Sequence, residues 1–336
     1  MTTILQLAGL PDSDEIVLDT TDKTGVRRFL DISWISPLLE PLDPTRFRHL
    51  KLLYGGLENP INVNIRPDVV YNSIGEPDRC SNALDHARHA AAHNPYPIIN
   101  DPANIPNIRA DRLCSIAAGL KGIRMPKTIR LTPQSLAEVR ETFEANALTP
   151  PLLFKEASTD PERPNVYRLE HTEDLEALER FAFDGRAYYA SAFTDFHSPD
   201  SLYRLYRFFV IGDTVLPGHL IVSDHWYIRS DVQAHETLGE ALPGILKEEK
   251  DFLKKFRNPK LPVLPRLRRA LGLDCFAADC ALDEKGELLL FRIVCEAHYA
   301  DGTKTEGYYG AKEKARFNEA VEAMLLSKRQ QRAPHA

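Results

Sequence analysis

The chain has 336 residues, of which 43% are hydrophobic and 27% are charged, and its formal net charge at pH 7 is −6. This composition is typical of a soluble globular protein that is long enough for more than one domain. The charge is too close to neutral for a strongly basic nucleic-acid-binding domain. No run of about 18 apolar residues predicts a membrane span. The first residues also lack the basic and apolar segments of a signal peptide.

The cysteines are few, odd in number and scattered without a CxxC spacing. This arrangement favours reduced thiols over a disulfide framework or a zinc site. We therefore expect a cytoplasmic protein. The cysteines are Cys80, Cys114, Cys275, Cys280 and Cys295.

Residues 1–105 have the pattern of a small α/β unit. Apolar runs predict strands at 3–7, 67–72 and 96–100, and an alanine-rich stretch predicts a helix at 83–93. This order of elements favours a parallel sheet with crossover connections.

Residues 106–190 predict a second, smaller unit of helices and short strands. Proline at the first helical position and an acidic first turn mark two of the helix starts. The predicted elements are a helix at 109–120, a strand at 126–131, a helix starting at Thr132-Pro133 and ending near 146, a strand at 151–155 and a helix at 172–180.

Residues 191–330 predict a third unit, which a strand at 188–196 leads into. Gly212-Asp213 indicates a hairpin between two strands. The predicted elements are strands at 203–211 and 214–222, helices at 246–256 and 262–271, strands at 273–281 and 287–294 and a terminal helix at 312–326.

Two arginines fall on a strand that otherwise has the composition of a protein core. Arg204 and Arg207 are three residues apart, so on a regular strand they point to opposite faces. An inward guanidinium is costly unless it is paired. Either an anionic ligand or a core carboxylate would relieve that cost. We expect Arg207 to face a cleft and Arg204 to lie in solvent or in a surface pair.

The same stretch carries a resemblance to a known family. It is similar, in order, to a segment of the glutathione-synthetase-like ATP-grasp domains, a kind that also occurs fused to tetratricopeptide repeats. A match of this length is more specific than any short motif. The matching residues are Phe193, Asp195, Ser198-Pro199-Asp200, Tyr203-Arg204, Tyr206-Arg207, Gly212, Pro217, His219-Leu220, Ser223 and Asp224-His225-Trp226.

The resemblance covers roughly residues 60–300. It implies a fold of the α+β or α/β class that has three parts. These would be an N-terminal pre-ATP-grasp α/β domain at 1–105, a central ATP-grasp subdomain at 106–190 and a C-terminal ATP-grasp subdomain at 191–330. It also implies an ATP-dependent carboxylate–amine ligase, or one using another nucleophile, that acts through an acyl phosphate. The partners expected are small-molecule or amino-acid substrates, with neither nucleic acid nor membrane, and a homodimer is left open.

The resemblance also implies roles for individual residues. Lys155, with Arg109 or Arg112, would approach the phosphates of ATP. Ser191, Ala192 and Phe193 would hold adenine through backbone hydrogen bonds. Arg207 and His219 would stabilise charge on the transferring phosphoryl group. The alternative for each of Arg109, Arg112 and Lys155 is a solvated surface charge.

The chain departs from the family in two places. The loop after Lys155, residues 156–166, has no glycine where members have a flexible glycine-rich phosphate loop. At the magnesium site Asp279 matches the first acidic ligand, but Arg292 stands where a glutamate is expected, and Val294 stands where an aspartate or asparagine is expected. Glu296 would reach the metal only if its strand bulges.

Three interpretations of Arg292 remain. Asp279 and Arg292 form a structural pair, in which case the chain is a non-catalytic relative or binding module. Alternatively, Arg292 replaces a magnesium charge and serves catalysis as a fixed cation. In the third, the metal site survives with Asp279 and Glu296.

Overall fold

The structure, a computed structural model, describes residues 1–13, 37–39, 42–55, 65–158, 165–228, 239, 242–256, 261–283, 285–295 and 311–331. Within these ranges the chain forms one five-stranded and two four-stranded β-sheets. None of the helices described there is long and apolar enough to cross a membrane.

The first sheet is parallel throughout and confirms the expected parallel arrangement. Its strands follow the order β2-β1-β3-β4. The sequence pattern does not indicate β2, because Arg48 and Lys51 interrupt its apolar residues on an exposed edge strand. The elements are β1 (Thr2–Gly9), β2 (Phe47–Tyr54), β3 (Val69–Asn72), α1 (Ser81–Ala92) and β4 (Ile98–Ile99).

The second sheet is antiparallel, with the order β6-β9-β7-β8, and we call it the central sheet. One of its faces packs with α3 and a 3₁₀-helix around an aromatic core that includes Phe143, Phe154, Phe181 and Tyr188. The elements of this part are α2 (Ala110–Ala118), β5 (Ile123–Arg124), β6 (Thr128–Leu131), α3 (Leu136–Ala145), β7 (Leu152–Glu156), β8 (Val166–Leu169), the 3₁₀-helix Thr172–Arg180 and β9 (Tyr188–Ala192).

Two predicted boundaries and one predicted helix type in this part are wrong. Helix α3 does not start at Thr132-Pro133, because the Ser135 side chain accepts a hydrogen bond from the Glu138 N–H and caps the helix there. The predicted helix at 172–180 is a 3₁₀-helix. The strand predicted to reach 196 ends at Ala192: the Phe193 N–H still donates to the carbonyl oxygen of Pro151, but Pro151 has no N–H with which to return a bond.

The third sheet has the order β11-β10-β12-β13-β5 and is antiparallel except where β5 joins β13. The hairpin at Gly212-Asp213 is confirmed, and Gly212 has the positive φ of 56° that such a turn requires. The elements are β10 (Tyr203–Ile211), β11 (Thr214–Ser223), α4 (Leu242–Lys255), α5 (Val263–Leu271), β12 (Cys275–Leu282), β13 (Leu288–Val294) and α6 (Ala311–Gln330).

The first and third sheets share a hydrophobic core, and α6 completes it. This core joins β1, β3 and β4 to β10, β12 and the apolar stripe of α6. Its members include Ile4, Val69, Tyr71, Ile99, Phe209, Ile211, Ala277, Phe317, Val321 and Leu325. The N-terminal sheet is therefore fixed directly to the sheet that carries Arg207 and Asp279.

Asn100 connects the same two sheets through polar contacts. Its side chain is fully buried, and its Oδ1 accepts from the N–H groups of Asp274 and Cys275 at 2.9 and 3.0 Å. Its Nδ2 donates to the Cys275 carbonyl oxygen at 2.9 Å. Its φ of 55° lies in the left-handed region, which asparagine tolerates better than most residues.

Asn100→Ala removes these hydrogen bonds and leaves buried backbone groups unsatisfied. We expect the free energy of unfolding to fall by about 2–4 kcal/mol, measured by urea denaturation. The control is Asn94→Ala, since the Asn94 side chain forms local hydrogen bonds with the backbone of Tyr96. Equal effects of the two substitutions would contradict the bridging role of Asn100.

His49 on β2 makes folding sensitive to pH. Its Nε2 lies 2.6 Å from Gln6 Oε1, and burial with the charge of Lys51 lowers the pKa of His49 to about 4. Histidine ordinarily titrates near 6.5. The folded state therefore favours neutral His49, and this contribution to stability is complete above about pH 6.5 and is lost as the pH falls towards about 4.

We expect His49→Gln to flatten the dependence of Tm on pH between about 6.5 and 4. After allowance for solvent screening the contribution is about 1 kcal/mol. His93→Gln is the control, because His93 is exposed at the end of α1. Parallel curves for the wild-type chain and His49→Gln would contradict the assignment.

Candidate functional site

A row of four polar side chains crosses the third sheet. The register pairs His219 of β11 with Arg207 of β10, Arg207 with Asp279 of β12 and Asp279 with Arg292 of β13. The ladders shift register next to Arg207 and next to Asp279, so each residue borders a bulge. Bulges commonly redirect side chains near functional sites.

Asp279 lies at the centre of this row and is 1% exposed. Its Oδ1 accepts from Arg207 Nε at 2.7 Å, and its Oδ2 accepts from Arg207 Nη2 and from Arg292 Nε, each at 2.7 Å. Burial acts to raise the pKa of Asp279, but the charges of Arg207 and Arg292, the hydrogen bond from Arg207 and the charge of His219 hold it well below its ordinary value. The two guanidinium groups thus favour the ionised form of this buried carboxylate.

Arg204 occupies a different environment, as expected. Its Nε donates to Glu248 Oε1 at 2.7 Å and its Nη2 to Asp200 Oδ2 at 2.8 Å, and both partners are partly exposed. These hydrogen bonds, first the ones to Asp200 and then the ones to Glu248, raise the pKa of Arg204. Arg204 is the arginine of a surface pair, and Arg207 is the one bound to the core carboxylate.

Lys155 brings a cation from the central sheet towards this row. It alternates with Phe154, which faces the aromatic core, so Lys155 faces the opposite side. Desolvation by surrounding protein and the positive charge of Arg292 lower the pKa of Lys155, against the opposing effects of Asp78 and Glu76. The Lys155 Nζ lies 5.9 Å from the centre of the Tyr189 ring on the neighbouring strand. We call the space between Lys155 of the central sheet and Arg207, Asp279 and Arg292 of the third sheet the inter-sheet cleft.

A loop of the N-terminal part reaches the same face of the central sheet. Asp78 accepts a short hydrogen bond from the Tyr189 hydroxyl and a longer one from Arg130 Nε at 3.3 Å. Burial and the Asp78 charge raise the pKa of Tyr189. Sequence reasoning did not select Arg130 or Tyr189 as site residues. A signal for Arg130 was present, because it is a charged residue between the apolar residues Ile129 and Leu131 of β6.

The two alternatives for the second phosphate cation lie in different surroundings. Arg109 pairs with Asp111 at 2.8 Å and is within electrostatic reach of Tyr189 and Asp78. The hydrogen bonds that Arg109 donates to Asp111 raise the pKa of Arg109. Arg112 is exposed and lines an open pocket of about 590 Å³ between α2, β6 and α3. Arg109 is the one associated with the Asp78 loop.

The three residues expected to hold adenine have structural partners. Ser191 Oγ lies 2.9 Å from Thr128 Oγ1, and the Ala192 N–H donates to the Lys127 carbonyl oxygen at 2.8 Å. The Phe193 N–H is likewise used within the protein, so adenine contacts through these two amides would require other bonds to break. Their role stays a prediction.

The Phe193 ring forms part of a cation–aromatic cluster that sequence reasoning did not select. The Arg168 guanidinium carbon lies 3.8 Å from the centre of the Phe193 ring and 5.5 Å from that of Trp226. The two rings meet edge to face at 5.5 Å. Arg168 belongs to β8 and Trp226 follows β11, so this cluster joins the central sheet to the third sheet.

The residues described here do not fit a magnesium site. Both oxygens of Asp279 accept hydrogen bonds from guanidinium groups, and Val294 offers no side-chain ligand. No group of three His, Cys, Asp or Glu residues suited to a metal occurs in the described part of the chain. Glu296, the other predicted ligand, lies outside the described residues.

Comparison with solved structures identifies the fold. The D-alanine–D-alanine ligase of Bacillus anthracis matches with a TM-score of 0.57 at 13% identity, covering 98% of both chains. The VanG D-Ala:D-Ser ligase of Enterococcus faecalis matches at 0.55 and 13% identity, over 98% of this chain and 99% of that one. The chain has the ATP-grasp fold.

A third solved structure, an ATP-grasp ligase, has the same fold. The RiPP-associated ATP-grasp ligase of Chryseobacterium gregarium, in complex with ADP and a leader and core peptide, matches with a TM-score of 0.53 at 11% identity, over 99% of this chain and 100% of that one. No protein-family model matches the sequence. No curated protein matches it significantly either.

Arg207→Ala should destabilise the protein. The substitution leaves the buried Asp279 with Arg292 alone. We expect a loss of about 3–5 kcal/mol in the free energy of unfolding, against about 1 kcal/mol or less for Arg204→Ala, whose partners are exposed. Urea denaturation of both variants checks this, and equal losses would count against it.

Proposed function

We propose that this protein is an ATP-dependent ligase that joins a carboxylate to an amine or another nucleophile through an acyl phosphate. The observation that carries the proposal is the inter-sheet cleft. There Lys155 of the central sheet and the row Arg207, Asp279 and Arg292 of the third sheet bring cations together from two sides. The fold supports it, since solved proteins with this fold include ATP-grasp ligases.

The residues of the chain have distinct proposed roles in this reaction. ATP would supply the phosphoryl group that activates the substrate carboxylate. Lys155 binds phosphate oxygens as a point charge, and Arg292 and Arg207 offset negative charge on the transferring group. Asp279 orients Arg207 through two hydrogen bonds. His219 adds to the positive field beside Arg207.

The proposed substrates are amino acids or peptides. The matched structures include ligases of D-alanine and D-serine and a ligase bound to a peptide. The proposed site of action is the cytoplasm, which agrees with the five free thiols, four of them buried. A homodimer is compatible with this function and is not required by it.

A second candidate function is a non-catalytic nucleotide-binding relative. The observation in its favour is the double pairing of Asp279 with Arg207 and Arg292, which engages the carboxylate. The two candidates differ in turnover. The purified chain is incubated with ATP and pools of amino acids and dipeptides, with and without magnesium, and ADP, phosphate and ligated products are measured. Product formation supports the ligase, whereas ATP binding without products supports the relative.

Lys155→Met should weaken ATP binding by about tenfold or more, because a charge-assisted phosphate contact is lost. Calorimetry measures the affinity. Lys250→Met on the exposed side of α4 is the matched control and should leave the affinity unchanged. Unchanged affinity in Lys155→Met would remove Lys155 from the site.

A further inference from the structure

Arg292 occupies the register position directly opposite Asp279. The family resemblance leads one to expect a second carboxylate there, and the chain instead places a guanidinium whose Nε donates to Asp279 Oδ2 at 2.7 Å. The Arg292 side chain is 50% exposed, whereas that of Asp279 is 1% exposed. The cation thus lies on the solvent side of the carboxylate, where it is accessible from the inter-sheet cleft.

The charges of the cleft are unbalanced towards positive. Arg207, Arg292 and Lys155 carry positive charge. Among the residues described, Asp279 is the one carboxylate of the row. The neighbouring carboxylates Glu76 and Asp78 are paired with Arg79 and Arg130.

A divalent cation at Asp279 would have to displace these arginines. Three hydrogen bonds of 2.7 Å hold the two oxygens, and the carboxylate is buried. Displacement would leave two guanidinium groups next to a doubly charged ion, with like charges at short range. Magnesium also requires several oxygen ligands in near-octahedral geometry. A guanidinium supplies positive charge to phosphate oxygens at the same place with no such requirement.

We propose that the inter-sheet cleft binds the polyphosphate of a nucleoside triphosphate directly on Arg292 and Lys155, without a divalent cation on Asp279. This inference rests on the proposed nucleotide site and deepens it. Arg292 is the residue that takes the place of the metal charge. Asp279 acts as a positioning residue for Arg207 and Arg292 and is not a metal ligand.

The test is calorimetric titration of ATP into the full chain, in EDTA and in magnesium. We expect dissociation constants that agree within about threefold between the two buffers, and affinity that falls as salt screens the charges. Arg292→Ala should weaken binding in EDTA by about tenfold or more. It should remain folded, because Arg207 still holds Asp279 through two hydrogen bonds.

Arg269→Ala is the matched control for Arg292→Ala. Arg269 is 57% exposed, pairs with Asp213 and lies on α5, away from the row. The affinity of the Arg269→Ala variant for ATP should equal that of the wild-type chain. Arg292→Glu restores a second carboxylate beside Asp279, and we expect its ATP binding to be lost in EDTA and recovered in part with magnesium. This recovery distinguishes a metal-replacing charge from a merely structural pair.

The outcomes separate this inference from the proposed ligase activity. Binding in EDTA that depends on Arg292 supports the inference even if no product forms, in which case the ligase proposal fails alone. Binding that requires magnesium, or that is unchanged in Arg292→Ala, overturns the inference and leaves the ligase proposal intact. Failure of both ATP and inorganic tripolyphosphate to bind in either buffer overturns both.

Discussion

The buried carboxylate of Asp279 is the constraint on which the candidate site depends. A charge with 1% exposure is stable only when its partners are fixed, and here they come from strands on both sides of β12. Arg207 and Arg292 are therefore held in one conformation by the same carboxylate. The order of strands β10, β12 and β13 therefore places one negative side chain between two positive ones across the sheet.

Much of this arrangement could be predicted from sequence, because strands convert spacing into geometry. The three-residue separation of Arg204 and Arg207 correctly indicated different surroundings. The pairing of Asp279 with Arg292 was one of the three interpretations that the sequence left open, and it is the one seen in the structure. Local signals were less decisive at element ends. Helix α3 starts after the Ser135 cap and not at Pro133. The edge strand β2 lacked an apolar pattern because the exposed residues Arg48 and Lys51 interrupt it.

Contacts between distant parts of the chain could not be derived in the same way. The bond between Asp78 and Tyr189 joins residues 111 positions apart, and no periodicity relates them. The position of Arg168 over Phe193 and Trp226 likewise depends on how two sheets face each other. Such contacts depend on the packing of whole sheets, which a pattern within one strand does not encode.

The division of the apolar core has a mechanical consequence. The first and third sheets share buried residues with α6, and Asn100 ties them further, whereas the core of the central sheet is its own. Separating the first and third sheets exposes a common hydrophobic interior. Moving the central sheet away breaks mainly polar and cation–aromatic contacts, such as those of Asp78 and Arg168, which water can partly replace. Separating the central sheet, which carries Lys155, from the rest of the molecule therefore exposes less buried apolar surface than separating the first sheet from the third.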